Sequence, residues 1–187
     1  RATIFLTGDH YTVNIEVKVF NDGLGFRYVF PGQNGKQEFT LLDESTAFNL
    51  QGDPVIKALL LPNFLSSHEG LYTTSAISQI KNDTLMDMPA LLQYPNNIFM
   101  AITEASLIDY AGMYLTKKEG MLSSQLAPLP TPLGDRGIKV RAKLPHQSPW
   151  RVMLIGSKIG TLIESNILTS LSPECTIKDT GWIKTGT

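Results

Sequence analysis

Ten residues, "YTVNIEVKVF" at 11–20, constrain this chain more than any others. Val13, Ile15, Val17 and Val19 alternate with Thr12, Asn14, Glu16 and Lys18, the period of two that belongs to a half-buried strand. "NDG" at 21–23 has turn chemistry, with Gly23 free to take a positive φ. "LGFRYVF" then reads as a second strand, stopped by Pro31 and Gly32, so a hairpin is expected over residues 12–30.

The same grammar continues. "KQEFTLLDESTAFNL" reads as one or two strands broken near Asp43 and Glu44. "IKVRAKL" sets Ile138, Val140 and Ala142 against Lys139, Arg141 and Lys143, and "PWRVMLIG" is an apolar run of strand length. Residues 51–97 show no dominant period, and "LAPLPTPLGDRG" (126–137) reads as a loop. The one helix candidate is "GTLIESNILTSL", with Thr161 and Glu164 as a capping box, Leu162, Ile163, Asn166 and Ile167 at helical spacing, and Pro173 as its stop. Many short strands with one or two short helices at most imply an all-β sandwich.

Composition narrows the function. With 187 residues, 42% hydrophobic and 18% charged, the chain suits one globular domain with a sizeable core, taken as residues 1–187. A formal net charge of -1 and a pI near 6.3 give no reason to expect nucleic acid or an anionic membrane as partner. No apolar run approaches the roughly 20 residues that span a bilayer. Cys175 is the sole cysteine, which rules out an intrachain disulfide and a thiolate metal cluster. With His10, His68 and His146 scattered, it is also a poor basis for a Cys–His nucleophile. The opening "RATIFLTGDH" carries neither an initiator methionine nor a signal peptide, which points to a fragment.

No phosphate loop, nucleophile elbow or HExxH motif is present. The carboxylates to weigh are Asp43, Glu44, Glu69, Glu104 and Asp109. Glu104 is the oddest, because it interrupts the apolar run "IFMAITEASLIDYAGMYL". Either the strand ends at Thr103 and the acids face water, or the strand delivers polar groups to a site. Calcium takes about 6–8 oxygen ligands, and no dense ligand loop occurs here, so a calcium site would draw on distant segments. Glycoside hydrolysis needs two carboxyls roughly 5–9.5 Å apart, and chain spacing leaves open whether Glu69 and Glu104 are neighbours. Tyr72, Tyr94, Tyr110, Tyr114 and Trp150 could stack on sugars, although sandwich aromatics are mostly core.

Four stretches in order resemble the N-terminal domain of glycoside hydrolase family 97, the α-glucosidases and α-galactosidases typical of gut Bacteroidetes. They are "VFNDGLGFRYVFP" (19–31), "AITEASLIDYAGMYL" (101–115), "SPWRVMLIG" (148–156) and "KDTGWIKTGT" (178–187). The resemblance implies a β-supersandwich of the galactose-mutarotase kind, packed on a catalytic (β/α)8 barrel, in a periplasmic enzyme acting on oligosaccharides. It implies that the catalytic acid and its base or nucleophile lie in the barrel, so no catalytic residue is expected here and the chain alone is expected to be inactive. It also implies further strands before the hairpin. In the "WIKP"-like segment that leads into the barrel, Thr185 stands where the family has proline.

By the same resemblance, Glu69 in "SSHEGLYTT", with Tyr72 three positions on, supplies one calcium ligand to a site completed outside this chain. Glu104 is expected to hydrogen-bond backbone or an arginine, Arg27 or Arg151, with a substrate or metal role second. Tyr72, Asp109 and Tyr110 are the other candidates for a substrate or interface position. Two rivals remain. One is a stand-alone carbohydrate-binding or assembly module with a concave aromatic groove. The other is a structural domain that associates through an apolar face.

Overall fold

The computed structural model describes residues 1–33, 35–130, 137–184 and 186. The chain opens with the meander β1 (Ala2–Thr7), β2 (Thr12–Phe20) and β3 (Gly23–Phe30), then β4 (Glu38–Leu41) and β5 (Ala47–Phe48). Short strands follow: β6 (Val55–Ala58), β7 (Leu60–Leu61), β8 (Thr73–Ala76), β9 (Leu85–Met86) and β10 (Ala90–Tyr94). Then come β11 (Ile98–Ala105), β12 (Met113–Lys118), β13 (Met121–Leu126), β14 (Val140–Lys143), β15 (His146–Gln147) and β16 (Trp150–Gly156). Two helices, α1 (Ile159–Glu164) and α2 (Ile167–Leu171), close the sequence of elements.

A wide antiparallel sheet runs β1-β2-β3-β16-β11-β10-β6-β8, with β15 also on β3, and faces a narrower sheet ordered β5-β13-β12-β9-β7. A ribbon of β4 and β14 stands beside them. The inner face of the wide sheet supplies Ile56, Leu92 and Ile102, which meet Met86, Leu115, Leu122 and Leu126 in the principal core. Its outer face carries a second core, where Trp150, Val152 and Leu154 of β16 pack with Ala101 and Ala105 of β11 beneath Ile167 and Leu171 of α2. Both faces of β16 are therefore covered, which is why "WRVMLIG" reads as a continuous apolar run.

The hairpin stands as expected, Val19 opposite Leu24 and Asn14 opposite Val29. Other expectations change. The single helix is two, because Ser165 takes extended backbone (φ -63°, ψ 133°) between them. Lys158 occupies the N-cap with no side-chain cap bond, and Thr161 already lies inside α1, so the Thr161–Glu164 capping box does not form. A capping residue must sit outside the helix in extended geometry. Ile163 faces water while Ile167 and Leu171 are buried. β11 continues past Thr103 to Ala105 and keeps Glu104 in the ladder opposite Arg151. Residues 131–136 of the expected 126–137 loop, and Thr185, lie outside the described residues.

Candidate functional site

The centre of the charged chemistry is Arg151, on β16 and fully buried (0% exposed) against the inner face. A guanidinium there must be paired and hydrogen-bonded. Its Nε and Nη2 donate to Oε1 and Oε2 of Glu44 at 2.8 and 2.5 Å, a bidentate pair. Its Nη1 donates to Oε2 of Glu104 at 2.7 Å. Glu44 is also buried, and its Oε1 accepts the Thr46 hydroxyl at 2.7 Å. The Tyr110 hydroxyl approaches Glu44 Oε2 at 3.5 Å, and the Arg151 guanidinium lies 5.8 Å from the centre of its ring. Burial, followed by the Glu44 charge, pushes the Tyr110 phenol well above its ordinary range.

Glu104 is thus engaged on both counts considered from sequence, with an arginine and with backbone. Besides Arg151, its oxygens accept the Met113 N–H, each at 3.3 Å. Burial raises its carboxyl above the ordinary value against the opposing pull of Arg151. Arg27, the other partner considered, lies on the outer face. Its Nε and Nη2 donate to Oε2 of Glu16 at 2.9 and 2.8 Å, while Arg1 holds Oε1 at 2.6 Å. The Arg27 guanidinium lies over Trp150, 4.4 Å from its ring centre.

Burial pushes Glu16 upward, but Arg27 and Arg1 outweigh it and hold its carboxyl below the ordinary 4.5. A lowered carboxyl contributes stability that is present above the unfolded value and lost as pH falls through the folded one. Glu16→Gln is therefore expected to flatten the acid limb of stability below about pH 4.5, read as urea midpoints across the acid range.

The remaining candidates are dispersed. Glu69 sits exposed in the segment between β7 and β8 and has no hydrogen-bond or ion-pair partner among the described residues. Tyr72 is exposed at the foot of β8. Asp109 is exposed in left-handed backbone at φ 48°, and Tyr110 stacks on His146 at 6.1 Å between centroids. Tyr94 and Trp150 belong to the two cores.

Sequence reasoning passed over one cluster. His68 Nδ1 is 2.7 Å from Asp87 Oδ2, and His68 Nε2 is 3.4 Å from the Tyr114 hydroxyl. The "SSHEG" stretch held the only signal, and Asp87 is 19 residues from it. β12 connects this cluster to the buried ions, since Met113 bonds Glu104 and the next residue, Tyr114, meets His68. Burial, then Asp87 and Glu104, raises the Tyr114 phenol. Among the described residues no group of three His, Cys, Asp or Glu side chains could hold a metal.

A wide antiparallel sheet over a narrow one, stitched by a buried arginine with two glutamates, defines a two-sheet β-sandwich domain. Residues 2–173 match the Glycosyl-hydrolase 97 N-terminal family, and the chain belongs to that family. It is 27% identical to a retaining alpha-galactosidase of Bacteroides thetaiotaomicron, over 92% of this chain and 29% of that protein. It is 26% identical to a probable retaining alpha-galactosidase of Streptomyces bingchenggensis, over 92% of this chain and 25% of that one. A glycoside hydrolase family 97 enzyme from Pseudoalteromonas, solved with acarbose, superposes with a TM-score of 0.83 at 26% identity, covering 97% of this chain and 27% of that one. A beta-arabinopyranosidase shares the fold at 19% identity and a TM-score of 0.74, covering 88% of this chain and 28% of its own. The chain therefore spans between a quarter and three-tenths of the length of these relatives.

Proposed function

We propose that this domain forms one wall of the active site of a family 97 α-glycosidase, with α-galactosides as the first substrate class and hydrolysis performed by residues outside this chain. The observation that carries the reading is the match to two alpha-galactosidases over nearly the whole chain and less than a third of theirs. α-Glucosides stand second, supported by the acarbose complex of the Pseudoalteromonas relative. The relatives' names favour retention, and the family resemblance favours the periplasm.

In this reading Glu69 contributes one carboxylate to a calcium site. The donor suits the ion, since it is a hard oxygen, exposed and without a partner among the described residues. Glu104 is less suited, with its oxygens engaged by Arg151 and Met113. Calcium, when bound, supplies Lewis-acid polarisation or orientation of the substrate. The apolar side chains Leu65 and Leu71, both 95% exposed on the Glu69 segment, suit burial against the catalytic domain.

The test uses the full-length protein and the 187-residue chain side by side on aryl α-galactosides and α-glucosides. Hydrolysis by the full-length protein alone, with chelator sensitivity, is the expected result. Glu69→Gln is expected to weaken calcium binding about tenfold or more, which is roughly 1.4 kcal/mol. Hydrolysis by the chain alone would overturn the division of labour, and unchanged calcium affinity would remove Glu69 from the site.

One feature favours a second reading, a carbohydrate-binding module. A groove of about 790 Å³ is lined by Tyr11, Phe30 and Phe39, with Gln33, Lys36 and Glu38 on its polar side. Calcium-independent affinity of the isolated chain for α-linked oligosaccharides would support it, and no affinity would dismiss it.

A further inference from the structure

Residues 62–72, between β7 and β8, contain no helix or strand, yet side chains pin them at several points. Asn63 Oδ1 accepts the Leu65 N–H at 2.8 Å, and the Phe64 ring packs edge-on against Tyr114 at 5.0 Å. A Cβ placed on Gly70 would lie 2.7 Å from Leu59 Cδ1, so the chain passes that leucine as closely as only glycine can without displacing it. Between these points His68 adopts φ 59°, left-handed backbone that costs a residue bearing a Cβ.

The compensating contact is the one to Asp87. His68 Nδ1 lies 2.7 Å from Asp87 Oδ2, where the carboxylate can only accept, and its Nε2 lies 3.4 Å from the Tyr114 hydroxyl, so the ring is held at both nitrogens. Asp87 is itself fixed, because its Oδ1 accepts the Met88 N–H at 2.9 Å and its own N–H donates to Leu59 O at 2.9 Å. The anchor is thus set by backbone, and the imidazole carries its geometry to the residue adjoining Glu69.

We propose that Asp87, His68 and Tyr114 form a clamp that holds residues 62–72 in their binding shape before any cation arrives, with His68 as the positioning residue for Glu69. The clamp rests on the calcium reading for its purpose and on the contacts above for its existence. It lowers the conformational cost of binding, as an outer-shell partner does when it orients a ligand that it does not replace. It also holds Leu65 and Leu71 out in water, where a loose segment would fold them back.

Two measurements separate the parts. In the calcium-free chain, nuclear spin relaxation at Glu69, Gly70 and Leu71 is expected to give order parameters of about 0.85, falling below ~0.6 in His68→Ala. His68→Asn is expected to restore order, because asparagine tolerates left-handed backbone and can donate to Asp87. In the full-length protein, calcium titration is expected to show about tenfold weaker binding in His68→Ala, with recovery in His68→Asn. Unchanged order in His68→Ala would overturn the clamp. A loosened segment with undiminished calcium affinity, in a protein where Glu69→Gln does lose affinity, would overturn the positioning role. Where Glu69→Gln changes nothing, the calcium reading fails, and the relaxation data alone decide whether the clamp exists.

Discussion

Arg151→Met is expected to destabilise the fold by about 3–5 kcal/mol, because it leaves two glutamates inside the sandwich with no cation. The methionine replaces the aliphatic stem well, so loss of packing accounts for little of this. Glu44 loses both arms of its bidentate pair, and Glu104 loses its Nη1 partner while keeping the Met113 N–H. The signature is in the pH dependence. Burial already raises Glu104 above the ordinary carboxyl value, and without Arg151 the opposing pull is gone. A carboxyl raised in the folded state costs stability as pH rises through the window between its unfolded and folded values. The deficit of Arg151→Met should accordingly shrink in acid, read as urea midpoints at neutral and acidic pH. A second variant that adds Glu44→Gln and Glu104→Gln should recover much of the loss. Equal deficits at both pH values would point to packing instead of charge.

Trp150→Ala should cost a similar amount, about 3–5 kcal/mol. The indole is 1% exposed in the outer-face core, with Arg27 and Lys18 over its ring and α2 packed in the same cluster. For a chain of this size the loss corresponds to a fall in Tm of roughly 10 °C. Trp150→Phe makes an instructive contrast. The indole Nε1 is buried without a hydrogen-bond partner among the described residues, so phenylalanine gives up volume but also removes a donor that none of them satisfies. Its cost is expected to stay near or below ~1.5 kcal/mol. A large loss in both variants would show that the indole nitrogen has an acceptor, and thermal melts of the pair decide the point.

What could be read from the residues was what depends on neighbours in sequence. The Thr12–Phe30 hairpin was legible because alternation and turn chemistry sit side by side, and β16 because its apolar run is unbroken. β1 was not recognised as a strand. Its six side chains are all exposed, and its pairing with β2 depends on backbone bonds that leave no pattern. Glu104 could be recognised as misplaced but not placed, since its partner Arg151 is 47 residues away and the second carboxylate, Glu44, is 107 from that arginine. The helix was misread because periodicity continued through Ser165, where the backbone did not. The His68–Asp87 contact joins an exposed histidine to a half-buried aspartate from unpatterned segments, so only the folded chain brings them together.

β1 has a consequence for what this sandwich can meet. Among the described residues it is the outermost strand of the wide sheet, and no described strand pairs with the backbone N–H and C=O groups of its far edge. "ATIFLT" contains no charge and no proline to deter another strand, and Phe5 is 76% exposed upon it. Such an edge is a template. Its main-chain geometry suits an extended segment, with little regard for the side chains that segment carries. A lysine in place of Phe5 would set a charge beside that edge and make pairing there less favourable.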